Sequence, residues 1–282
     1  NVQECVNGTG VCSGLANGDT INIPAGACTW NGTLKIDGSK FFTLAGPGVS
    51  ALTITDGIDR TSGGQKFLII FIPKVGGLAR ITGFAIDGAT GSDCCGGSLI
   101  VNGGDTRSST WRIDNMKFLG KRSGTRAIIN YNPGGLIDHN TFTQSVFAGV
   151  IYGFDGYTNA DTYGDTRWAQ STGLGGAEPF FVEDNTFNTD APGTFIPFAL
   201  DGWWATKVVF RHNTVTDMWI NNHGTESPAR NRGGRSFEWT NNTIVLTSPL
   251  SFSTPFDIRS GTGVITGNTV TGAFTYLAIL HI

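Results

Sequence analysis

The densest group of reactive side chains lies in Asn222-His-Gly-Thr-Glu-Ser-Pro-Ala-Arg-Asn-Arg-Gly-Gly-Arg235, with Glu238 just beyond it. Cleaving a uronate polymer by β-elimination needs a cation or guanidinium to neutralise the carboxylate, a base for the C5 proton and an acid for the departing oxygen. His223, Arg232, Arg235 and Glu238 are of those types and form the catalytic candidates. Asp201, Arg230 and Arg259 suit the binding of an acidic sugar, and the adjacent Trp203 and Trp204 suit a stacking platform. Asp201 and Asp257 carry the oxygens that calcium prefers, although no calcium-loop spacing surrounds them and no other cofactor is implied. The same arginines with Glu226 and Glu238 would equally make a salt-bridged loop, so residue type alone leaves both roles open.

What must position these residues is a repeat. Ile137-Asp-His-Asn-Thr-Phe142 returns as Val182-Glu-Asp-Asn-Thr-Phe187, Phe210-Arg-His-Asn-Thr-Val215, Trp239-Thr-Asn-Asn-Thr-Ile244 and Ile265-Thr-Gly-Asn-Thr-Val270. Its asparagines, Asn140, Asn185, Asn213, Asn242 and Asn268, are 45, 28, 29 and 26 residues apart, and the looser copy at Asn115 precedes them by 25. Periods in the twenties mean a solenoid. Each copy alternates apolar and polar residues and bends at the asparagine, which is strand periodicity. Further short strands lie between copies, so one period is one coil of an all-β, single-stranded parallel β-helix. Its asparagines are expected to stack as a hydrogen-bonded ladder inside the turn. A length of 282 residues over a period near 27 gives roughly nine to ten coils in one domain, residues 1–282. Asp138, Glu183 and Arg211 share one repeat position and are expected to stack outward as an ion-pair row. The long interval contains residues 152–176, rich in Gly, Asp, Thr and Tyr, which reads as a protruding loop.

Counting 16, 10, and 15 or 17 residues on from successive asparagines reaches Asp201, His223, and Asp257 or Arg259, which brings them onto neighbouring coils along one face. Here the chain resembles the pectate-lyase-like right-handed parallel β-helix superfamily. Gly18-Asp-Thr-Ile-Asn-Ile-Pro-Ala-Gly26 looks like its opening strand and turn, and Phe42-Thr-Leu-Ala-Gly-Pro-Gly48 like its second coil. The resemblance implies a secreted protein and, for many members, action on polysaccharides. It is specific for fold and weak for function, since one fold hosts many activities.

Composition narrows the rest. Glycine contributes 41 residues and charged residues only 15%, which favours turns over exposed helices. A net charge of -3 offers no basic footprint for nucleic acid. The strongest apolar run, Phe67 to Ile72, is of strand length, so no membrane span is expected. The chain opens at Asn1 with neither initiator Met nor leader, which reads as a mature, extracellular chain. Its 5 cysteines, Cys5, Cys12, Cys28, Cys94 and Cys95, fit one or two disulfides of undetermined pairing and leave an odd thiol. Sequons at Asn7, Asn31 and Asn241 permit glycosylation.

The last residues form an apolar strand, Tyr276-Leu-Ala-Ile-Leu-His-Ile282, without a polar cover, and residues 1–18 look too short and irregular to cap the other end. Bare β-helix ends expose unpaired backbone. The preferred reading is therefore a structural subunit that stacks on copies of itself into a fibre through Tyr276, Leu277, Ile279, Leu280 and Ile282. The alternative is a polysaccharide lyase or polysaccharide-binding protein working around His223.

Overall fold

The computed structural model describes residues 2–60, 65–88, 91–102, 110–120, 122–131, 134–144, 150–154, 171–189, 198–224, 233–247 and 254–280, with the side chains of 91–95 and 122–125 outside the description. Arg230, Arg232, Glu226, Ile282 and most of the expected loop thus fall outside it. Among the described residues, 27 short strands form three all-parallel sheets of nine strands each. The chain visits the first, second and third sheet in turn and then begins again, which is a parallel β-solenoid. No described helix is long and apolar enough to cross a membrane.

Strand alternation builds the interior. In the second sheet one inward column runs Cys28, Ile54, Ile86, Phe118, Phe142, Phe187, Val215, Ile244, Val270. In the first sheet the matching column runs Ile21, Leu44, Ile81, Ile113, Ile137, Val182, Phe210, Trp239, Ile265. Parallel sheets buried in this way need apolar side chains at every coil. Because like sits over like, Phe118 and Phe142 stack at 5.0 Å, and Phe142 and Phe187 at 4.8 Å.

The corner between first and second sheets explains the repeated phrase. The residue before each asparagine turns left-handed: His139, Asp184, His212 and Asn241 have φ of 53–57°, and Gly267 has 67°. Short polar residues and glycine tolerate that conformation best. The asparagine that follows points inward. Asn140 donates its N–H and Nδ2 to Asn185 Oδ1 at 2.9 and 3.0 Å. Asn185 does the same to Asn213, Asn213 to Asn242, and Asn242 to Asn268. Each Nδ2 also donates to a carbonyl of the preceding coil, as Asn185 does to Ile137 O at 2.9 Å. Four of the ladder residues are buried, and every donor finds a partner, as a low-dielectric interior demands.

Outside the first sheet the charges bridge coil to coil. Arg80 pairs with Asp114, Arg112 with Asp138, and Arg211 with Glu183. Burial pushes the Asp138 carboxyl up, but the hydrogen bonds from Arg112 and His139 outweigh it and hold the group below the ordinary carboxylate range. A depressed folded-state value stabilises the fold above the unfolded value, about 3.9, and that contribution is lost as pH falls through the folded value. The melting-temperature gap between wild type and Asp138→Asn should therefore be widest near neutrality and shrink below about pH 4; a constant gap would show that the charge contributes nothing.

The N-terminal end is covered along its third-sheet edge, contrary to the sequence expectation, while the second-sheet strand Gly26–Trp30 stays exposed. The helix Val2–Val6 and the turn Gly10–Cys12 are joined by the Cys5–Cys12 disulfide, and Val6 and Leu15 are buried in the core. Val2 and Val6 sit four apart and share one helix face, a pattern confined to a single turn and so invisible as periodicity. Gln3 donates Nε2 to Lys35 O at 2.9 Å and accepts from Lys35 N–H at 2.8 Å, which closes the edge of the third sheet at Leu34–Ile36. The C-terminal end is different. Its last strands, Thr262–Thr266, Thr269–Gly272 and Ala278–Leu280, and the connection before the third hold the largest group of exposed apolar side chains among the described residues: Val264, Ile265 and Leu280 on the strands, and Phe274, Tyr276 and Leu277 on the connection.

Candidate functional site

The third sheet assembles the candidate site on its outer face. Its strands Ile151–Gly153, Phe198–Gly202, Trp219–Asn222 and Phe256–Ile258 are paired neighbours, so Tyr152, Asp201, Asn221 and Asp257 form one outward row. Two residues further on, each strand turns its next side chain the same way. That second row reads Tyr131, Phe154, Trp203, His223, Arg259. Tyr131 and Phe154 rings lie 4.5 Å apart, Phe154 and Trp203 6.5 Å, and Trp203 stacks on His223 at 3.2 Å. Arg259 Nη1 approaches His223 Nε2 at 3.4 Å.

Asp201 ties the two rows together. One oxygen accepts from Trp203 Nε1 at 2.5 Å, and the other from Asn221 Nδ2 at 2.5 Å, with His223 Nδ1 3.3 Å away. Asp201 is 1% exposed and His223 9%, so the carboxylate stands in a dry setting with charge-assisted hydrogen bonds on both oxygens. Arg126 lies over the Tyr152 ring at 4.5 Å, extending the cation–aromatic pattern along the face.

Of the sequence candidates, the structure brings Asp201, Trp203, His223 and Arg259 into contact and places Trp204 against Phe154 at 4.8 Å. It takes Glu238 elsewhere. Glu238 sits on the strand Ser236–Thr240 of the first sheet, where its Oε1 accepts from Gly175 N–H at 2.7 Å. Nearness in sequence to His223 misleads here, because consecutive strands of a solenoid lie on different walls while residues one period apart lie side by side. Ser236 donates to Thr172 O at 2.5 Å and Lys207 to Glu178 at 2.6 Å, so the described end of the expected loop is strapped along the first sheet. Its start, Tyr152 and Gly153, belongs to a strand of the third sheet, since Tyr152 is needed in the outward row. Arg235 has its backbone N–H on Thr206 O at 2.8 Å.

Asp257 shares the Asp201 row with Asn221 between them, and no group of three or more His, Cys, Asp or Glu able to hold a metal ion occurs among the described residues. Cys28 is exposed and unpaired; Cys94 and Cys95 lie on the strand Gly91–Val101, with their side chains outside the description. Sequence reasoning missed Tyr131, Phe154 and Asn221. The signal available for Asn221 was the pair Asn221-Asn222 closing a strand, of which the first faces out and the second in.

No family model matches the chain, and no curated protein matches it. Among solved structures the chain is similar to one titled "Geobacillus virus E2 - ORF18", at 12% identity and a TM-score of 0.39, covering 99% of this chain and 57% of that one. The chain thus spans little more than half the length of that protein.

Proposed function

We propose that this is a secreted, extracellular structural protein, a right-handed parallel β-helix of nine to ten coils akin to the pectate-lyase-like superfamily, whose copies assemble end to end into a fibre. One observation carries the reading. The last coil presents Ile265, Phe274, Tyr276, Leu277 and Leu280 to solvent, with Leu277 59% and Leu280 61% exposed, beside unpaired strand edges. Contiguous exposed apolar surface marks an interaction site, and a heterologous contact that does not close generates a filament. The right hand follows from the strong preference of parallel crossover connections. The Cys5–Cys12 disulfide suits an oxidising compartment.

The test is assembly itself. Purified protein at high concentration should give filaments in electron micrographs and large species on sizing, and Ile265→Asp/Leu280→Asp should leave folded monomers. A wild-type chain that stays monomeric overturns the proposal.

A second reading rests on the joined Asp201, Trp203, His223 and Arg259 with Trp203 and Trp204 half-buried. In it, the third sheet binds or cleaves a uronate-type glycan. Unsaturated-product absorbance on such polymers, with and without calcium, should then vanish in His223→Ala.

A further inference from the structure

We infer that the end-to-end joint runs through the second sheet: the strand Thr269–Gly272 of one copy adds in parallel to the free edge Gly26–Trp30 of the next, with Val270 opposite Cys28. This rests on the assembly reading above and names its contact. At the N-terminal end the third-sheet edge is closed, whereas the first-sheet strand Thr20–Asn22 keeps Thr20 and Asn22 exposed. Gln3 takes both outward groups of Lys35, so the third sheet cannot continue there. The second sheet is open. Four of the five residues of Gly26–Trp30 are exposed, beside a cavity of about 670 Å³ walled by Val2, Ile23, Trp30, Leu34 and Leu52.

Hydrogen-bond parity fits the pairing. Gly26 N–H donates to Ala51 O, and Trp30 O accepts from Gly57 N–H. Main-chain groups alternate sides along a strand, so Ala27 and Thr29 turn theirs to the free edge. At the other end Thr269 N–H donates to Asn242 O and Ala273 N–H to Leu246 O. Val270 and Gly272 therefore turn theirs outward. In a parallel ladder a residue facing its partner strand bonds to the two residues that flank its opposite number. Val270 opposite Cys28 would donate to Ala27 O and accept from Thr29 N–H. The same register continues the inward column that starts at Cys28 and ends at Val270. Extended-strand addition of this kind draws affinity from main-chain bonds and specificity from the side chains it seats.

The helix Val2–Val6 stands over the third sheet, so the joint is propped open on that side and successive copies are tilted rather than coaxial. Leu277 and Leu280 then face the cap, where Val11 is 94% exposed.

Val270→Cys tests the register with the native Cys28. Neighbouring strands are about 4.8 Å apart, within the roughly 4.4–6.8 Å Cα separation a disulfide spans. Oxidised Val270→Cys should run as a reducible ladder of dimers and higher species on a gel. Neither Val270→Cys/Cys28→Ser nor Thr271→Cys, which faces out of the core, should do so. Thr29→Pro removes one edge donor without touching the bonds to Leu52–Asp56, so it should abolish assembly with the melting temperature unchanged. Filaments in micrographs with no ladder from Val270→Cys, or filaments that survive Thr29→Pro, would overturn this joint and leave the assembly reading standing. Absence of any filament from wild type would remove both.

Discussion

Asn185→Ala should destabilise the protein by roughly 2–6 kcal/mol, because two buried donors are orphaned at about 1–3 kcal/mol each. The donors are the N–H and Nδ2 of Asn140, which share Asn185 Oδ1. Ile137 O and Glu183 O lose their donor as well. Water has little access, since Asn140 and Asn185 are each 2% exposed. Denaturant unfolding followed by far-ultraviolet circular dichroism measures the loss. Asn268→Ala is the internal comparison: Asn242 is itself buried, but Asn268 is half-exposed at the open end, so removing its side chain admits solvent to the orphaned groups of Asn242 and the cost should be smaller. Equal losses at both positions would mean that the ladder is not a buried network.

That ladder is also what made the fold legible. Five asparagines, three of their four intervals in the twenties and each between alternating apolar residues, point to a parallel solenoid and to the wall each copy occupies. The first third lacks the asparagine, yet its strands join the same three sheets. There the corner is turned by Gly83, at φ 81°, followed by Phe84, and by Asn115, at φ 51°, followed by Met116, so the bend survives while its sequence mark changes. The outward column of the third sheet was far harder to read. Tyr131, Phe154, Trp203, His223 and Arg259 are 23, 49, 20 and 36 residues apart, because turns of unequal length separate strands that stack at equal height. A fixed period cannot find such a column; only the register can. The cap was missed for a different reason: a five-residue helix offers one apolar pair and no repeat.

Asp201 decides whether that column is scaffold or machinery. Its carboxylate holds Trp203 Nε1 and Asn221 Nδ2, and Trp203 in turn stacks on His223. Asp201→Ala orphans two donors in a nearly dry site, so the expected loss is again roughly 2–6 kcal/mol. Asp201→Asn should cost less. Its amide oxygen still accepts from Trp203, and its new N–H donors face Asn221, whose Oδ1 is buried with no hydrogen-bond partner among the described residues. Turning the Asn221 amide over would pair the two. Thermal melts of the two variants therefore separate size, charge and hydrogen bonding. A scaffold role predicts a large drop for Asp201→Ala, a smaller one for Asp201→Asn, and, on the proposed assembly, fibres intact in any variant that stays folded, because the site lies on a side wall and the proposed joint at the ends. A residue kept for chemistry at the expense of stability behaves oppositely: its removal relieves a buried charge, and both variants melt at or above the wild-type temperature. Such a result would return the third sheet to the glycan reading, with His223 and Arg259 as the groups to examine on uronate polymers.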